Sequence, residues 1–374
     1  MERTGLSRST MAQRLEQLMS HRLIVAAGSS ASTGGRPPAS FAFNPDAGTV
    51  LTAGMGATHS RLALTDLDGR VLVEEASDLD LTRDPDGVLA WLEERFAELL
   101  RAGGRAPDDL LAIGVGLPAP VEHATGTPVS PPILPRWDGY PVAERLRGAF
   151  AVPVLVDNDV NTMAWGEHAI HWRDTPHMVY IKVGTGIGLG IVADGRVQRG
   201  GDGAAGDIGH LAIPAAEGIR CVCGNTGCLE AVASGRAMAE QLRGQGLEAR
   251  HSRDVVELAR SGNLTAMNLV RESGRLIGQA LVSAVNLLNP RVIVVGGDMA
   301  HADQLLLAGI REIVYQRSLP LATRHLRIVR SQLDDLAGVT GAAMLAIEHV
   351  LAPDVVDDRL AEEDAPRAAS RAAS

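Results

Sequence analysis

The sequence predicts an α/β protein of two related lobes, preceded by a small helix-and-hairpin unit. Three observations carry that expectation. Along the body of the chain, apolar strand patterns alternate with helical ones. One run of events (glycine turn, strand, Asp-Gly hairpin, strand) occurs twice, in GMGATHSRLALTDLDGRVL and in KVGTGIGLGIVADGRVQ. Ahead of both lies TGLSRSTMAQRLEQLMSHRLI, a helical pattern that leads into a Gly/Ser/Pro-rich hairpin.

The first unit is assigned residues 1–45. Ser7 is a plausible N-cap, and Met11, Leu15, Leu18 and Met19 follow at helical spacing. Arg8, Ser9, Gln13 and Arg14 lie off that apolar stripe, and Arg36 sits in the hairpin. Helix then β-wing is the outline of a winged helix that reads DNA. An amphipathic helix docked on the body fits the same pattern. Only three residues precede Thr4, so the helices that normally support such a unit are expected to be incomplete, and the stripe is expected to have little to pack on.

The body is divided into lobes at 46–165 and 166–352. Asp68-Gly69 and Asp194-Gly195 between alternating runs are strong hairpin signals. Two glycine hairpins facing across a cleft can hold phosphates through backbone N–H groups; two ordinary hairpins with bulge glycines are the plainer alternative. LLAIGVGLP, VPVLVDN and RVIVVGG read as further strands, with helices near 85–103, 160–171, 229–243, 264–288, 302–316 and 335–351. The tail 353–374 is charged and Ala/Ser-rich, lacks apolar period, and is expected to be disordered.

With 374 residues the chain can bury a large core. Its formal net charge of −10 argues against non-specific coating of nucleic acid, although residues 1–40 carry five Arg against two Glu. Lys182 is the only lysine among 35 basic residues, which reads as a compositional bias. No apolar run reaches the roughly 18 residues of a membrane span, and no signal peptide is visible. The three cysteines are clustered, which favours metal or thiol chemistry in the cytoplasm over a disulfide framework.

Those cysteines give the strongest signal. His210, Cys221, Cys223 and Cys228 are spaced H-x10-C-x-C-x4-C, one imidazole and three thiolates that complete a closed tetrahedral zinc shell of the structural kind. In VLVDNDVN a strand ends at Asp157, and Asn158 and Asp159 precede a helix. A carboxylate there can act as general base toward a sugar hydroxyl or cap the helix. Asp207, His210 and Glu230 bracket the zinc loop and can form a rigid polar wall for a polyol. Gly296-Gly297 offers bare backbone for a ring to stack on.

Together these pieces resemble the ROK family (repressor, open reading frame, kinase), from Thr4 to about Leu351. GTGIGLGIVADGRVQRGGDGAAGDIGHLAI followed by CVCGNTGCLE is the specific part. The resemblance implies a two-lobed actin-like ATPase fold with sugar and nucleotide in the cleft. It implies either a hexose or N-acetylhexosamine kinase, or a winged-helix regulator that senses sugars, acting as a dimer or tetramer on promoter DNA. By the same resemblance Asp159 matches the catalytic base. Asn158, Asp159, Asp207, His210 and Glu230 match sugar ligands, and Gly56, Thr58, Gly184, Thr185, Gly186, Gly296 and Gly297 match the nucleotide cradle. Arg8, Ser9, Gln13, Arg14 and Arg36 would contact DNA. Three departures stand out. The kinases usually have Glu where this chain has Asp207, which is about one methylene shorter. The family's first phosphate motif, Asp-x-Gly-x-Thr, has Gly54 in place of its Asp, and Mg–ATP relies on such carboxylates. Ile133 replaces a sugar-facing Asn and cannot hydrogen-bond a hydroxyl. The expectation is therefore a sugar-responsive regulator on a degenerate kinase body, with zinc resident and Mg–ATP used only if kinase activity persists. An active sugar kinase is the alternative.

Overall fold

The computed structural model describes residues 7–27, 40–302 and 304–361. Two five-stranded sheets form the body, and they share one plan. The first sheet is ordered Val71–Ser77, Ser60–Asp66, Thr49–Met55, Leu110–Leu117, Val154–Asn158. Its first three strands pair antiparallel and the last two join in parallel. The second sheet is ordered Arg196–Val197, Ile187–Ala193, Met178–Val183, Val292–Gly296, Arg327–Arg330, with the same senses. The echo in the sequence is thus a repeated strand plan. Its second hairpin turns through Asp194 and Gly195 at φ +51° and +70°, the left-handed pair that a tight two-residue loop requires.

Each sheet has an outer and an inner helical cover. Pro85–Ala102 and Val142–Phe150 cover the outer face of the first sheet, where Leu89, Leu92, Phe96 and Leu146 pack with Leu51, Leu62 and Ile113. Gly235–Gly244, Ser252–Arg260, Leu264–Leu288 and Gln304–Arg317 cover the second. The inner covers are exchanged. Helix Asp159–His171 follows the first sheet but packs Val160 and Ala164 on Met178, Tyr180, Val192 and Val294 of the second. Helix Ala337–Val350 follows the second sheet but packs Ala343, Ala346 and Ile347 on Val50 and Ala112 of the first. A lobe boundary after residue 165 therefore falls inside a helix.

The two exchanged helices cross at glycine. A Cβ on Gly341 would lie 1.6 Å from the Thr162 carbonyl oxygen, and one on Gly166 would lie 2.6 Å from that of Ala337. Only bare backbone allows that approach. Beside the crossing, Glu167 is fully buried. Its Oε1 accepts the N–H groups of Gln332 (2.7 Å) and Leu333 (2.9 Å) and the Ser331 hydroxyl. One carboxylate thus ties the first inner helix to the turn that launches the second.

Several elements differ from expectation. The helix expected over 229–243 breaks at Ser234 into Glu230–Ala233 and Gly235–Gly244, with the Ser234 hydroxyl capping the second piece. Helices Val142–Phe150 and Ser252–Arg260 and strand Arg327–Arg330 were not anticipated; each is nine residues or fewer, too short for a clear period. The tail expected to be disordered from 353 is helical over Pro353–Ala361, at 57° to the preceding helix. Leu360 gives the physical reason: it is only 3% exposed, so this segment has an apolar anchor that its composition hides. Among the described residues no single helix is long and apolar enough to cross a membrane, and one bent pair passes that test by length and composition only.

At the N-terminus, helix Arg8–Ser20 is capped as expected, the Ser7 hydroxyl accepting the Thr10 N–H at 3.1 Å. Met11, Leu15 and Leu18 are half-buried, while Arg8, Ser9, Gln13 and Arg14 are exposed. Ile24–Ala26 pairs antiparallel with Phe41–Phe43. The intervening hairpin tip, with Arg36, lies outside the described residues.

Candidate ligand cleft and metal centre

A cleft of about 450 Å³ opens between the two sheets. Its floor comes from the ends of strands and the starts of helices, where backbone and side chains can both face a ligand. The triplet at the end of strand Val154–Asn158 divides its labour. Asp157 points away from the cleft and is buried; it takes the Asn158 N–H, the Asn161 amide and the Arg199 guanidinium. Asn158 caps the helix, accepting the N–H groups of Val160 and Asn161, and also lines the cleft. Asp159 lines the cleft too, and its Oδ2 is in contact with the Lys182 ammonium. Capping thus explains Asn158, and the carboxylate left facing the ligand space is Asp159.

Lys182, from strand Met178–Val183, is the residue that sequence reasoning passed over. Its side chain is 21% exposed and reaches the cleft. Burial disfavours its charge, but the Asp159 carboxylate outweighs burial and raises the ammonium above its ordinary range. The available signal was its rarity, which was read as bias.

Glu230, Asp207 and His210 line the same cleft. The Glu230 carboxylate accepts the Ile187 N–H at 2.9 Å and pairs with Arg236 at 3.4 Å, so its position is fixed. A Cβ on Gly186 would lie 2.5 Å from Glu230 Oε2, so this glycine keeps the turn 184–186 open to the carboxylate. Gly56, Gly184, Thr185 and Gly297 also line the cleft; Thr58 is exposed and stands outside the lining. Gly296 has a packing role, since a Cβ there would strike the Tyr180 hydroxyl at 1.8 Å. Ile133 lines the cleft while packing on the first lobe's core.

The departure in the first hairpin has a spatial counterpart. Where the family motif carries Asp, a Cβ on Gly54 would lie 3.2 Å from the Val339 nitrogen and 3.3 Å from the Gly338 carbonyl carbon. The start of helix Ala337–Val350 therefore sits tight against this strand. Nearby the cleft is rich in carboxylates. Ser252 donates to Asp298 at 2.5 Å, Arg253 approaches it at 3.5 Å, and Arg61 and His301 both stand 3.7 Å from Asp335. Burial raises Asp298, but the Ser252 hydroxyl and the cations His59, Arg253 and Lys182 outweigh it and hold the carboxyl below its usual range. Burial lowers His59.

The four metal ligands converge as the spacing predicts. Their donor atoms all lie within 4.8 Å of one another. His210 Nδ1 is 3.7 Å from Cys221 Sγ, and Cys223 Sγ is 3.7 Å from Cys228 Sγ. Tetrahedral zinc with Zn–S of about 2.3 Å would set such edges near ~3.7 Å. Burial, with the crowding of the other two thiols, pushes Cys228 up to about 12. His210 belongs to both the metal shell and the cleft wall, its Nε2 standing 4.0 Å from Asp207.

Comparison with known proteins gives a consistent result. The ROK family profile matches residues 50–349. The xylose repressor of Caldicellulosiruptor bescii is 29% identical over 361 residues, covering 92% of this chain and 90% of its own. A crystal structure of a ROK family transcriptional regulator, a homologue of the E. coli MLC protein, superposes with a TM-score of 0.80 at 28% identity, over 96% of this chain and 93% of that one. A ROK family glucokinase from Streptomyces griseus, solved with glucose and AMPPNP, has a TM-score of 0.68 at 26% identity; it covers 80% of this chain but 99% of its own.

Proposed function

The chain belongs to the ROK family, and from that premise we propose that it is a sugar-responsive transcriptional regulator built on a kinase frame. One observation carries the reading. The kinase is used up over 80% of this chain, whereas the regulator extends over 96% of it. The additional length is what regulators have and the kinase lacks. The capped helix Arg8–Ser20 and the strand pair after it are consistent with a winged helix, in which Arg8, Ser9, Gln13 and Arg14 face DNA. Gly54, pressed against helix Ala337–Val350, brings no carboxylate to a bound Mg–triphosphate from the first hairpin.

In this reading a sugar occupies the cleft against Asn158, Asp159, Asp207, His210 and Glu230. Carboxylates and amides there accept or donate to its hydroxyls without breaking a bond. Zinc held by His210, Cys221, Cys223 and Cys228 would supply rigidity to the loop and orient the His210 ring. Closure of the cleft on the sugar shifts the exchanged helices and, through the tail helix, the DNA-reading arm. The test is fluorescence anisotropy of the protein on DNA upstream of its own gene, with D-xylose, D-glucose and N-acetylglucosamine as titrants. A salt-sensitive, sequence-specific complex that one sugar weakens or strengthens is expected. Absence of any sequence-specific complex refutes the reading. The alternative, an ATP-dependent sugar kinase with Asp159 as base, predicts sugar-dependent ADP release by the wild-type protein.

A further inference from the structure

We propose that Lys182 is a built-in block on phosphoryl transfer: its ammonium engages Asp159 and stands between that carboxylate and the phosphate hairpins. This rests on the regulator reading above and extends it to a second residue beside Gly54. Three observations support it. Lys182 Nζ and Asp159 Oδ2 form an ion pair inside the cleft. Lys182 precedes the turn at 184–186 by two residues, and its Cε would lie 3.8 Å from a Cβ on Gly184, so the stem runs along that hairpin. It is also the only lysine in a chain whose other cations are all Arg. A guanidinium is broad and planar, while an ammonium is a compact point charge, and this narrow place has the ammonium. The groups facing the pair are Asp298 and Glu230 from the second lobe, His59 from the first hairpin, and Tyr180 from the same strand.

The chemistry follows from what a kinase step needs. A sugar hydroxyl oxygen bonds to the γ-phosphorus of ATP, the bond from that phosphorus to ADP breaks with its electrons leaving on ADP, and the hydroxyl proton passes to a carboxylate. That carboxylate must have a free lone pair and enough basicity to take the proton. An ammonium held against Asp159 Oδ2 occupies the side of the carboxylate that a sugar hydroxyl would approach, so Asp159 is engaged as an ion-pair partner instead of receiving that proton. Restoring an aspartate at position 54 alone would then leave the protein inactive.

The experiment measures ADP release with Mg–ATP and each of D-xylose, D-glucose and N-acetylglucosamine. The proteins are wild type, Gly54→Asp, Lys182→Met and the double variant. Only the double variant is expected to turn over, at about a hundredfold or more above the others, the low end of general-base contributions. Turnover by Gly54→Asp alone, equal to that of the double, overturns the block. So does a double variant that melts cooperatively, binds sugar like wild type and stays silent. A second arm needs no ligand. Melting temperatures of Lys182→Met, Asp159→Asn and the pair together are expected to show the double more stable than either single variant. Strict additivity overturns the block by itself. Turnover by wild type overturns the regulator reading, so the two failures are told apart.

Discussion

Glu167 offers a sharp test of how the lobes are joined. Its side chain is completely buried, and one oxygen takes three donors: two backbone N–H groups at 2.7 and 2.9 Å and the Ser331 hydroxyl. Replacing it with Gln keeps an acceptor and removes the charge. Hydrogen bonds to a charged acceptor contribute about 1.5–3 kcal/mol and neutral ones about 0.5–1.5, so the difference is roughly 1 kcal/mol per bond. Three bonds place Glu167→Gln at about 2–3 kcal/mol of destabilisation. Glu167→Ala also strands the donors and is expected to lose more, about 3–5 kcal/mol. Urea unfolding followed by fluorescence of the four tryptophans measures both. The turn 331–336 should also become cleavable by protease under native conditions. A Glu167→Gln protein within about 0.5 kcal/mol of wild type, with that turn still protected, would refute the clasp.

Three further predictions follow from the metal centre, the first inner helix and the N-terminal arm. Cys228→Ser, or chelation of the metal, is expected to release zinc measured by elemental analysis and weaken sugar binding at least tenfold, because His210 then loses its orientation; such losses are usual for residues supporting a metal site. His168 is buried, stacked on Trp165 at 5.2 Å, and burial lowers its pKa. Its folded state therefore resists the proton that the unfolded chain accepts below about pH 6.5. The His168 contribution to stability should be flat above that pH and fall as pH drops below it, so His168→Gln should make the pH dependence in urea titrations between pH 8 and 5.5 differ from wild type by that amount. Finally, Arg14, on the helix proposed to face DNA, pairs with Asp357 of the tail helix at 3.2 Å, both half-exposed. Asp357→Asn is expected to leave the melting temperature unchanged and tighten DNA binding roughly two- to five-fold in anisotropy, the scale of an exposed pair; weaker binding would show that Asp357 orients Arg14 productively.

Much of this molecule was legible in the chain. The paired Asp-Gly hairpins announced two lobes because left-handed turn residues leave a local mark. The zinc quartet was legible because three thiols and an imidazole at those intervals have little other use. Sequence pattern did not reveal which sheet each inner helix would cover, since an apolar stripe is equally at home on either. It did not separate Asp157, Asn158 and Asp159, because their roles depend on which way each side chain leaves the end of a strand. Gly296 looked like a stacking platform, yet what decides its role is the Tyr180 hydroxyl from the neighbouring strand. Lys182 carries no signal in the sequence beyond its rarity; its contact with Asp159 gives it meaning.

The exchange of inner helices has a consequence for how the chain must be made. The first sheet is complete once residue 158 exists, but its inner face waits for Ala343, Ala346 and Ile347. A ribosome delivering the chain from its N-terminus therefore exposes an apolar surface on the first lobe for nearly two hundred further residues of synthesis. Neither half can finish without the other, so a nascent or truncated chain that stops before helix Ala337–Val350 presents the first sheet with its inner face bare. The cell's quality control has a simple signal to read: until the last core helix arrives, the inner face of the first sheet stays open.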